Sequence, residues 1–293
     1  MIRPLVKSLR PTQWAKNLFV LAPAVFSSLL LQPEVPLRAA LALAAFCFAS
    51  SAVYLVNDLR DREEDRKHPL KKFRPLAAGT LKVPVAVAAV VVLLGVAAAI
   101  SAWLGSGFAT VLGAYLLLNI LYTFWLKHMV ILDVMSISLG FVLRVEAGAM
   151  AARVDVSRWL LLCTIFLALF LAFSKRRHEI TLLAGAASGQ RRVLDQYSPA
   201  FLDQMINVVT ASAVVSYALY SVAPETVQKY NTRDLVYTIP MVLYGIFRYL
   251  YLMYQQPGER NPTEAILRDP PFLINMALWG AAVVWIVYLR SLL

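Results

Sequence analysis

Four side chains with oxygen ligands lie close together between Asn57 and Asp65, directly after an apolar run. They are Asn57, Asp58, Asp61 and Asp65. If a helix continues past Val56, its 3.6-residue period places all four on one face. Carboxylates on one face repel one another unless a cation lies among them. Hard oxygen ligands suit Mg²⁺, which also binds substrate phosphates. The pattern therefore predicts a Mg²⁺ site formed by these four residues, in which Mn²⁺ substitutes.

The same stretch also permits a reading without a metal. Four cations accompany the acids, namely Arg60, Arg62, Arg66 and Lys67. These could pair with the carboxylates and leave a solvated run of charges beside a membrane. Spacing alone leaves both interpretations open.

The composition of the chain identifies its class. Of its 293 residues 60% are hydrophobic and 15% are charged, whereas soluble domains have about 45–50% apolar and about 25% charged residues. The chain is predicted to be an all-α integral membrane protein, a single polytopic domain over residues 1–293 with no nucleic-acid partner. Its two cysteines both fall inside apolar runs, so no disulfide framework is expected.

About nine apolar runs approach the roughly 20 residues that a membrane-spanning helix needs. They lie near 17–32, 38–57, 83–104, 107–126, 129–151, 158–174, 201–222, 235–254 and 271–290. Helices are expected because backbone polar groups must be paired inside lipid.

The distribution of lysine and arginine sets the expected orientation. Twenty of the 28 lie in the N-terminal segment and in the loops after the second, fourth, sixth and eighth runs. This bias predicts a cytoplasmic N-terminus and a cytoplasmic active-site cap formed by loops 58–82 and 175–200. A basic face also follows from topology alone, or attracts anionic lipid. Acids that hold Mg²⁺ beside cations that hold phosphates nevertheless indicate a phosphorylated substrate.

The acid motif is followed by a second pattern, Arg74-Pro75-Leu76-x-x-Gly79. Together the two resemble the first aspartate-rich motif of the UbiA superfamily of intramembrane prenyltransferases. The resemblance covers essentially the whole chain, and it implies a UbiA-type helical bundle with this motif on the cytoplasmic side.

Other segments resemble one branch of that superfamily, the decaprenyl-phosphate phosphoribosyltransferases. They are Arg10-Pro11-Thr12-Gln13-Trp14-Ala15-Lys16-Asn17, Ser174 to Glu179, Gln196 to Pro199, Tyr244 to Tyr249 and Asn261 to Glu264. This resemblance implies 5-phosphoribosyl 1-diphosphate as donor and a polyprenyl phosphate as acceptor. The product would feed arabinofuranose donors for envelope glycans in a bacterial inner membrane, and a homo-oligomer is possible.

One departure from the superfamily pattern follows the sixth run. Where a second aspartate-rich motif is usual, this chain has Lys175-Arg176-Arg177-His178-Glu179. A phosphoribosyl donor and a lipid phosphate both bring phosphates that a prenyl diphosphate lacks, and arginine suits phosphate oxygens well. Alternatively, Lys175 and Glu179 form a surface helix pair worth about 0.3–0.5 kcal/mol.

Charged residues inside the fifth run are costly and usually functional. Asp133 and Arg144 share a helix face but lie roughly 16 Å apart along the axis. Arg144 and Glu146 point about 200° apart. Each of the three is therefore expected to find a partner on another helix. Arg144 either contacts substrate or clamps helices together. Tyr122 and Lys127 resemble a tyrosine–lysine feature near the diphosphate, although Lys127 also fits a helix-end lysine that extends to the interface.

The predicted reaction is glycosyl transfer to an acceptor that is already an anion, so it needs no strong general base. Catalytic roles are expected for Asp58, Asp61 and Lys127. Substrate binding is expected from Lys16, Asn17, Asn57, Arg74, Tyr122, Arg144, Lys175, Arg176, Arg177 and Glu179. The alternative activity is transfer of a polyprenyl group to an aromatic acceptor in quinone biosynthesis. A transporter would more naturally show repeated halves with broken helices.

The orientation can be tested by cysteine labelling. Single cysteines at positions 67 and 190 are expected to resist a membrane-impermeant thiol reagent applied from the periplasmic side, because both loops are predicted to be cytoplasmic. Labelling of either position from that side contradicts the orientation.

Overall fold

The computed structural model describes residues 2–67, 71–183, 196–255 and 268–289, and the regular structure in these ranges is helical. Eight of its helices are long and apolar enough to cross a membrane. The α-helices are α1 (Ile2–Leu9), α2 (Ala22–Val25), α3 (Glu34–Arg60), α4 (Arg62–Lys67), α5 (Val83–Leu104), α6 (Ser106–Phe124), α7 (Leu132–Ala152), α8 (Arg158–Leu183), α9 (Pro199–Val222), α10 (Pro224–Tyr230), α11 (Ile239–Gln255) and α12 (Pro270–Val284).

The segment predicted as the first span, 17–32, differs from the prediction. A 3₁₀ helix, Pro11–Leu21, is followed by the single turn of α2. Pro23 has no N–H to donate, which disfavours one continuous α-helix through this point. A 3₁₀ helix of this length is unusual, since such runs rarely exceed a few residues. Side-chain contacts described below hold it in place.

The sixth span also differs at its C-terminal end. It was expected to end at 174, but α8 continues to Leu183. The basic residues Lys175, Arg176 and Arg177 therefore lie on a helix. Residues 184–195 of the predicted loop 175–200 lie outside the described part of the chain.

The chain divides into two compact units. The N-terminal unit contains Met1–Trp125 and Gly140–Val156, and the C-terminal unit contains Leu126–Leu139 and Ser157–Leu293.

Alanines of α3 form one face of the N-terminal core, which lets neighbouring helices approach closely. Its buried members include Val20, Ala42, Ala45, Phe46, Ala49, Phe108, Leu112, Tyr115, Ala147 and Ala151.

The core of the C-terminal unit is richer in large side chains. It includes Val134, Phe170, Phe173, Tyr197, Leu202, Ile206, Ile246 and Tyr249, all buried. Ser198 caps α9 by accepting a hydrogen bond from the N–H of Phe201, and Pro199 occupies the first turn, where a missing N–H costs least.

A close approach of backbones fixes the 3₁₀ helix against α7. A Cβ atom added to Gly148 would overlap the backbone carbonyl oxygen of Val20, whereas one added to Gly113 of α6 would meet no atom within 4 Å. We expect Gly148→Ala to destabilise the protein by about 1–3 kcal/mol through overpacking. Gly113→Ala, the control, is expected to be neutral or slightly stabilising. Thermal unfolding in detergent measures both, and equal stability of the two variants contradicts this packing.

Candidate active site

In the N-terminal unit, an arginine–carboxylate cluster joins the acid motif to two arginines. Asp58 Oδ1 accepts hydrogen bonds from Arg10 Nη2 at 2.5 Å and from Arg74 Nη1 at 3.2 Å. The same Arg74 nitrogen donates to Asp65 Oδ2 at 2.7 Å. Asp58 and Asp65 are only 2% and 3% exposed. One guanidinium nitrogen therefore lies between two buried carboxylates.

The backbone explains how residues so far apart in sequence reach this cluster. The N–H of Asp61 donates to Asn57 O and the N–H of Asp65 donates to Asp61 O, so helical spacing continues from α3 into α4. Arg74 follows a short 3₁₀ turn, and its N–H donates to Lys71 O. The next turn ends at Gly79, whose N–H donates to Leu76 O and whose φ is +73°, a conformation that glycine adopts without steric cost.

Asn57 and Asp61 occupy different surroundings. Asn57 Oδ1 accepts a hydrogen bond from Thr123 Oγ1 at 2.6 Å, and Arg60 donates to the Thr123 carbonyl. Asp61 is half-buried at the junction of α3 and α4. Of the four predicted metal ligands, the structure thus brings Asp58 and Asp65 to a common partner and ties Asn57 to α6.

Asp58 and Asp65 are paired with arginines, but not with the cations closest to them in sequence. Arg66 instead pairs with Glu63 at 2.9 Å and donates to Ala77 O. Arg60 lies over the Phe124 ring, 4.1 Å from its centroid. The partners of the buried acids come from outside the motif helix, since they are Arg10 and Arg74.

Two buried carboxylates are available to a divalent cation at this cluster. In the described ranges, no three His, Cys, Asp or Glu side chains cluster closely enough to hold a metal. Mg²⁺, however, is usually bound by one or two carboxylates together with waters and substrate phosphates. Asp58 and Asp65 supply two carboxylates that already share a cationic group. The residues fit a Mg²⁺ ion that a substrate diphosphate helps to hold.

The 3₁₀ helix carries Lys16 and Asn17 alongside α3. Asn17 is buried; its Nδ2 donates to Ser50 Oγ at 3.1 Å, and its Oδ1 accepts from Arg144 Nε at 2.9 Å. Trp14 Nε1 donates to Ser51 Oγ at 3.1 Å. Lys16 is half-buried. These side-chain bonds hold the 3₁₀ helix against α3 and α7, where the sequence predicted a regular α-helix.

Arg144 finds its partners on other elements, as expected. Besides Asn17, it donates to Tyr115 OH at 3.0 Å and to Gly140 O at 2.8 Å. Its guanidinium lies 4.7 Å from the Tyr115 ring centroid and 5.2 Å from that of Phe141. These contacts are those of a clamp that joins the 3₁₀ helix, α6 and α7.

The C-terminal unit contains a second, separate cluster, around Asp133. Asp133 is fully buried and pairs with Arg176 Nε at 2.7 Å, and Arg176 Nη1 donates to Glu179 at 2.6 Å. Tyr197 OH donates to Asp133 Oδ1 at 2.7 Å and accepts from the N–H of Ile131. Burial and the adjacent Asp133 carboxylate raise the pKa of the Tyr197 phenol, which therefore stays protonated and remains a donor.

The other two basic residues of this segment are more accessible. The Lys175 side chain is 46% exposed and lies 3.8 Å from Glu179, the helix pair anticipated above. Arg177 pairs with Asp203 at 2.9 Å. Tyr122 near the end of α6 and Lys127 in the turn Leu126–His128 are both half-buried.

Sequence reasoning missed several of these residues. Arg10 was quoted within a motif but given no role, although its position before Pro11 marks the end of α1 and the entry to the 3₁₀ helix. Tyr197 lies within the Gln196–Pro199 resemblance but was given no role. Thr123 and Asp203 carried no signal, because nothing in their spacing pointed to Asn57 or Arg177.

Comparison with known proteins defines the class. Residues 20–275 match the model of the UbiA prenyltransferase family. A decaprenyl-phosphate phosphoribosyltransferase of Corynebacterium glutamicum is 36% identical, with 98% of this chain and 88% of that protein covered. The Mycolicibacterium smegmatis protein of the same name is 33% identical, with 97% and 93% covered. A UbiA homologue from Archaeoglobus fulgidus bound to GPP and Mg²⁺ superposes with a TM-score of 0.73 at 20% identity, over 97% of this chain and 99% of that chain.

The chain belongs to the UbiA prenyltransferase family. It is a multi-pass, all-α membrane protein, as the sequence predicted.

Arg176 is buried and Lys175 is exposed, so we expect their substitutions to have different effects on stability. Arg176→Ala leaves Asp133 buried without its cation, so we expect a loss of about 3–5 kcal/mol in the free energy of unfolding. The matched variant Lys175→Ala removes an exposed pair and is expected to cost less than about 1 kcal/mol. Chemical denaturation in detergent micelles compares the two. A loss no larger for Arg176→Ala than for Lys175→Ala contradicts the structural role assigned to Arg176.

Proposed function

We propose that this protein transfers 5-phosphoribose from 5-phosphoribosyl 1-diphosphate to a polyprenyl phosphate and releases diphosphate. The observation that carries the proposal is the arginine–carboxylate cluster, in which Asp58 and Asp65 share the Arg74 guanidinium. Acids suited to Mg²⁺ and cations suited to phosphate occupy one place, as a diphosphate donor requires. The names of the relatives in Corynebacterium glutamicum and Mycolicibacterium smegmatis support the same substrates.

We assign the roles at this site as follows. Asp58 and Asp65, with Asn57 and Asp61 beside them, would hold Mg²⁺ or Mn²⁺, and the bound ion would neutralise charge on the departing diphosphate. Arg74 donates to phosphate oxygens, and Lys16, Asn17 and Tyr122 supply further contacts to the substrates. Lys127 lies in the C-terminal unit, where we assign it a phosphate contact. Arg144 positions Asn17. Catalysis then rests on positioning and on stabilisation of developing charge, away from bulk water.

The acceptor phosphate oxygen attacks ribose C1 on the face opposite the diphosphate. The C1–diphosphate bond breaks as the new C1–O bond forms, and the configuration at C1 inverts. The acceptor oxygen is already an anion, so no side chain has to remove a proton. A reaction that needs no general base agrees with a motif made of acids and arginines.

We assign a phosphate contact within the C-terminal unit to Lys175 and secondarily to Arg177. Lys175 is the most exposed of the three cations, whereas Arg176 and Glu179 are engaged with each other and Arg176 with Asp133. Arg177 would have to leave Asp203 to reach a ligand. The earlier expectation that Arg176 contacts phosphate becomes, in this proposal, a role in folding.

We further propose that the protein acts in the bacterial inner membrane with its N-terminus in the cytoplasm. There a water-soluble phosphoribosyl donor meets a lipid acceptor, and the product supplies arabinofuranose donors for envelope glycans. The second candidate, prenyl transfer to an aromatic acceptor, is favoured by the A. fulgidus homologue, whose structure contains GPP and Mg²⁺. It is disfavoured by the basic segment at 175–179, where that chemistry would call for a second group of acids.

The reaction can be tested with purified protein in detergent, radiolabelled phosphoribosyl diphosphate and a polyprenyl phosphate. We expect label in the lipid fraction, its loss on chelation and its return with Mg²⁺ or Mn²⁺. Asp65→Asn is expected to reduce turnover at least a hundredfold, because it removes a buried carboxylate of the arginine–carboxylate cluster. Glu64→Gln changes an exposed residue of the same helix and serves as the control.

Two results contradict the proposal. One is full activity in metal-free buffer. The other is prenylation of 4-hydroxybenzoate with a polyprenyl diphosphate in the absence of phosphoribosyl transfer, which would establish the second candidate.

A further inference from the structure

We infer that Arg10 and Arg74 occupy the acid pair in the substrate-free protein, and that an incoming diphosphate draws them away. Divalent metal and diphosphate then bind strongly only together. This inference rests on the proposed function in one respect: the ligand of Asp58 and Asp65 is a metal–diphosphate complex. It adds a role for Arg10, and it gives Arg74 two successive partners.

Charge balance provides the first argument. Asp58 and Asp65 are almost fully excluded from solvent, and a buried carboxylate without a cation costs several kcal/mol. Two arginines balance the two acids in the structure. A divalent cation added alone would place an excess of positive charge in a site poor in water. When a diphosphate enters with the metal, its own negative charges balance the displaced guanidinium groups.

Accessibility provides the second argument. The side chains of Arg10 and Arg74 are 28% and 30% exposed, whereas those of Asp58 and Asp65 are 2% and 5% exposed. An anion arriving from solvent therefore meets the arginines first, and a metal ion meets the acids only after the arginines move. The guanidinium fork binds carboxylate and phosphate with similar geometry, so exchange between them needs no new type of contact.

The way in which the backbone around Arg10 is held provides the third argument. Its backbone is in the left-handed region, with φ 54° and ψ 61°, a conformation that is unfavourable for a residue other than glycine. The chain on both sides is anchored to Ser51, whose hydroxyl donates to Leu9 O and accepts from Trp14 Nε1. The Arg10 side chain also lies over the Tyr54 ring, 4.9 Å from its centroid. The fixed backbone directs a long side chain at Asp58 and leaves its far end able to change partner.

A purely structural role of Arg74 and an exchange of Arg74 with substrate predict opposite effects of its removal on metal affinity. If Arg74 only supports the fold around the acids, its removal weakens metal binding or leaves it unchanged. If Arg74 competes with the metal, its removal strengthens binding of metal alone and weakens binding of diphosphate. The sign of the change in metal affinity separates the two.

The experiment uses the full chain in detergent and two probes, Mn²⁺ alone and radiolabelled inorganic diphosphate. Electron paramagnetic resonance measures Mn²⁺ affinity, and retention on immobilised protein measures diphosphate with and without Mn²⁺. In the unmodified protein, Mn²⁺ is expected to strengthen diphosphate binding at least tenfold. Arg74→Gln is expected to bind Mn²⁺ alone about tenfold more tightly and diphosphate about ten- to hundredfold more weakly, the range for one charged hydrogen bond. Arg66→Gln, the matched control from the same segment, is expected to change neither value.

Arg10→Gln provides a second variant in case Arg74→Gln fails to fold, because it leaves Arg74 on both acids. It is expected to shift both values in the same directions by smaller factors. Mn²⁺ affinity that is unchanged or reduced in every folded variant overturns the inference. Linked Mn²⁺ and diphosphate binding in a protein that transfers a group other than phosphoribose overturns only the proposed function, since neither probe depends on the transferred group.

Discussion

A carboxylate that is removed from water inside a membrane bundle must have a cation beside it, and this constraint organises both units of the protein. Asp58 and Asp65 share Arg74 in the N-terminal unit. In the C-terminal unit, Asp133 pairs with Arg176 and Asp269 with Arg248. Each pair joins residues that are distant in sequence. Because loss of either partner leaves a costly unpaired charge, the pairs hold helices and turns in fixed positions.

The same constraint produces two different kinds of ion pair. In the pair between Asp133 and Arg176 both side chains are almost fully buried, and Tyr197 also donates to the acid. In the arginine–carboxylate cluster around Arg74 only the acids are buried, and the arginines are partly exposed to solvent. A fully buried ion pair holds the fold together. A pair with an exposed cation can exchange partners with an anion from solvent, which is the property that a phosphate site needs.

The 3₁₀ helix connects the fold to the chemistry. Its contact with Gly148 places it against α7, and Asn17 ties it to both α3 and Arg144. Lys16 and Arg10, at and beside this helix, therefore have positions set by these buried contacts. A regular α-helix here would have satisfied its own backbone but would have turned these side chains to other directions.

The sequence by itself determined the membrane class, eight of the predicted spans, the acid motif and the phosphate-directed character of the chemistry. These features depend on composition and on spacing within one helix, which local periodicity records. The tertiary structure alone decided that Arg10 and Arg74 are the partners of Asp58 and Asp65, and that Arg176 is committed to Asp133. It also decided that the predicted first span begins in a 3₁₀ helix followed by a single α-helical turn. The physical reason is that an ion pair or a close backbone contact between distant segments depends on how the helices pack, and the spacing of residues along one helix carries no record of that packing.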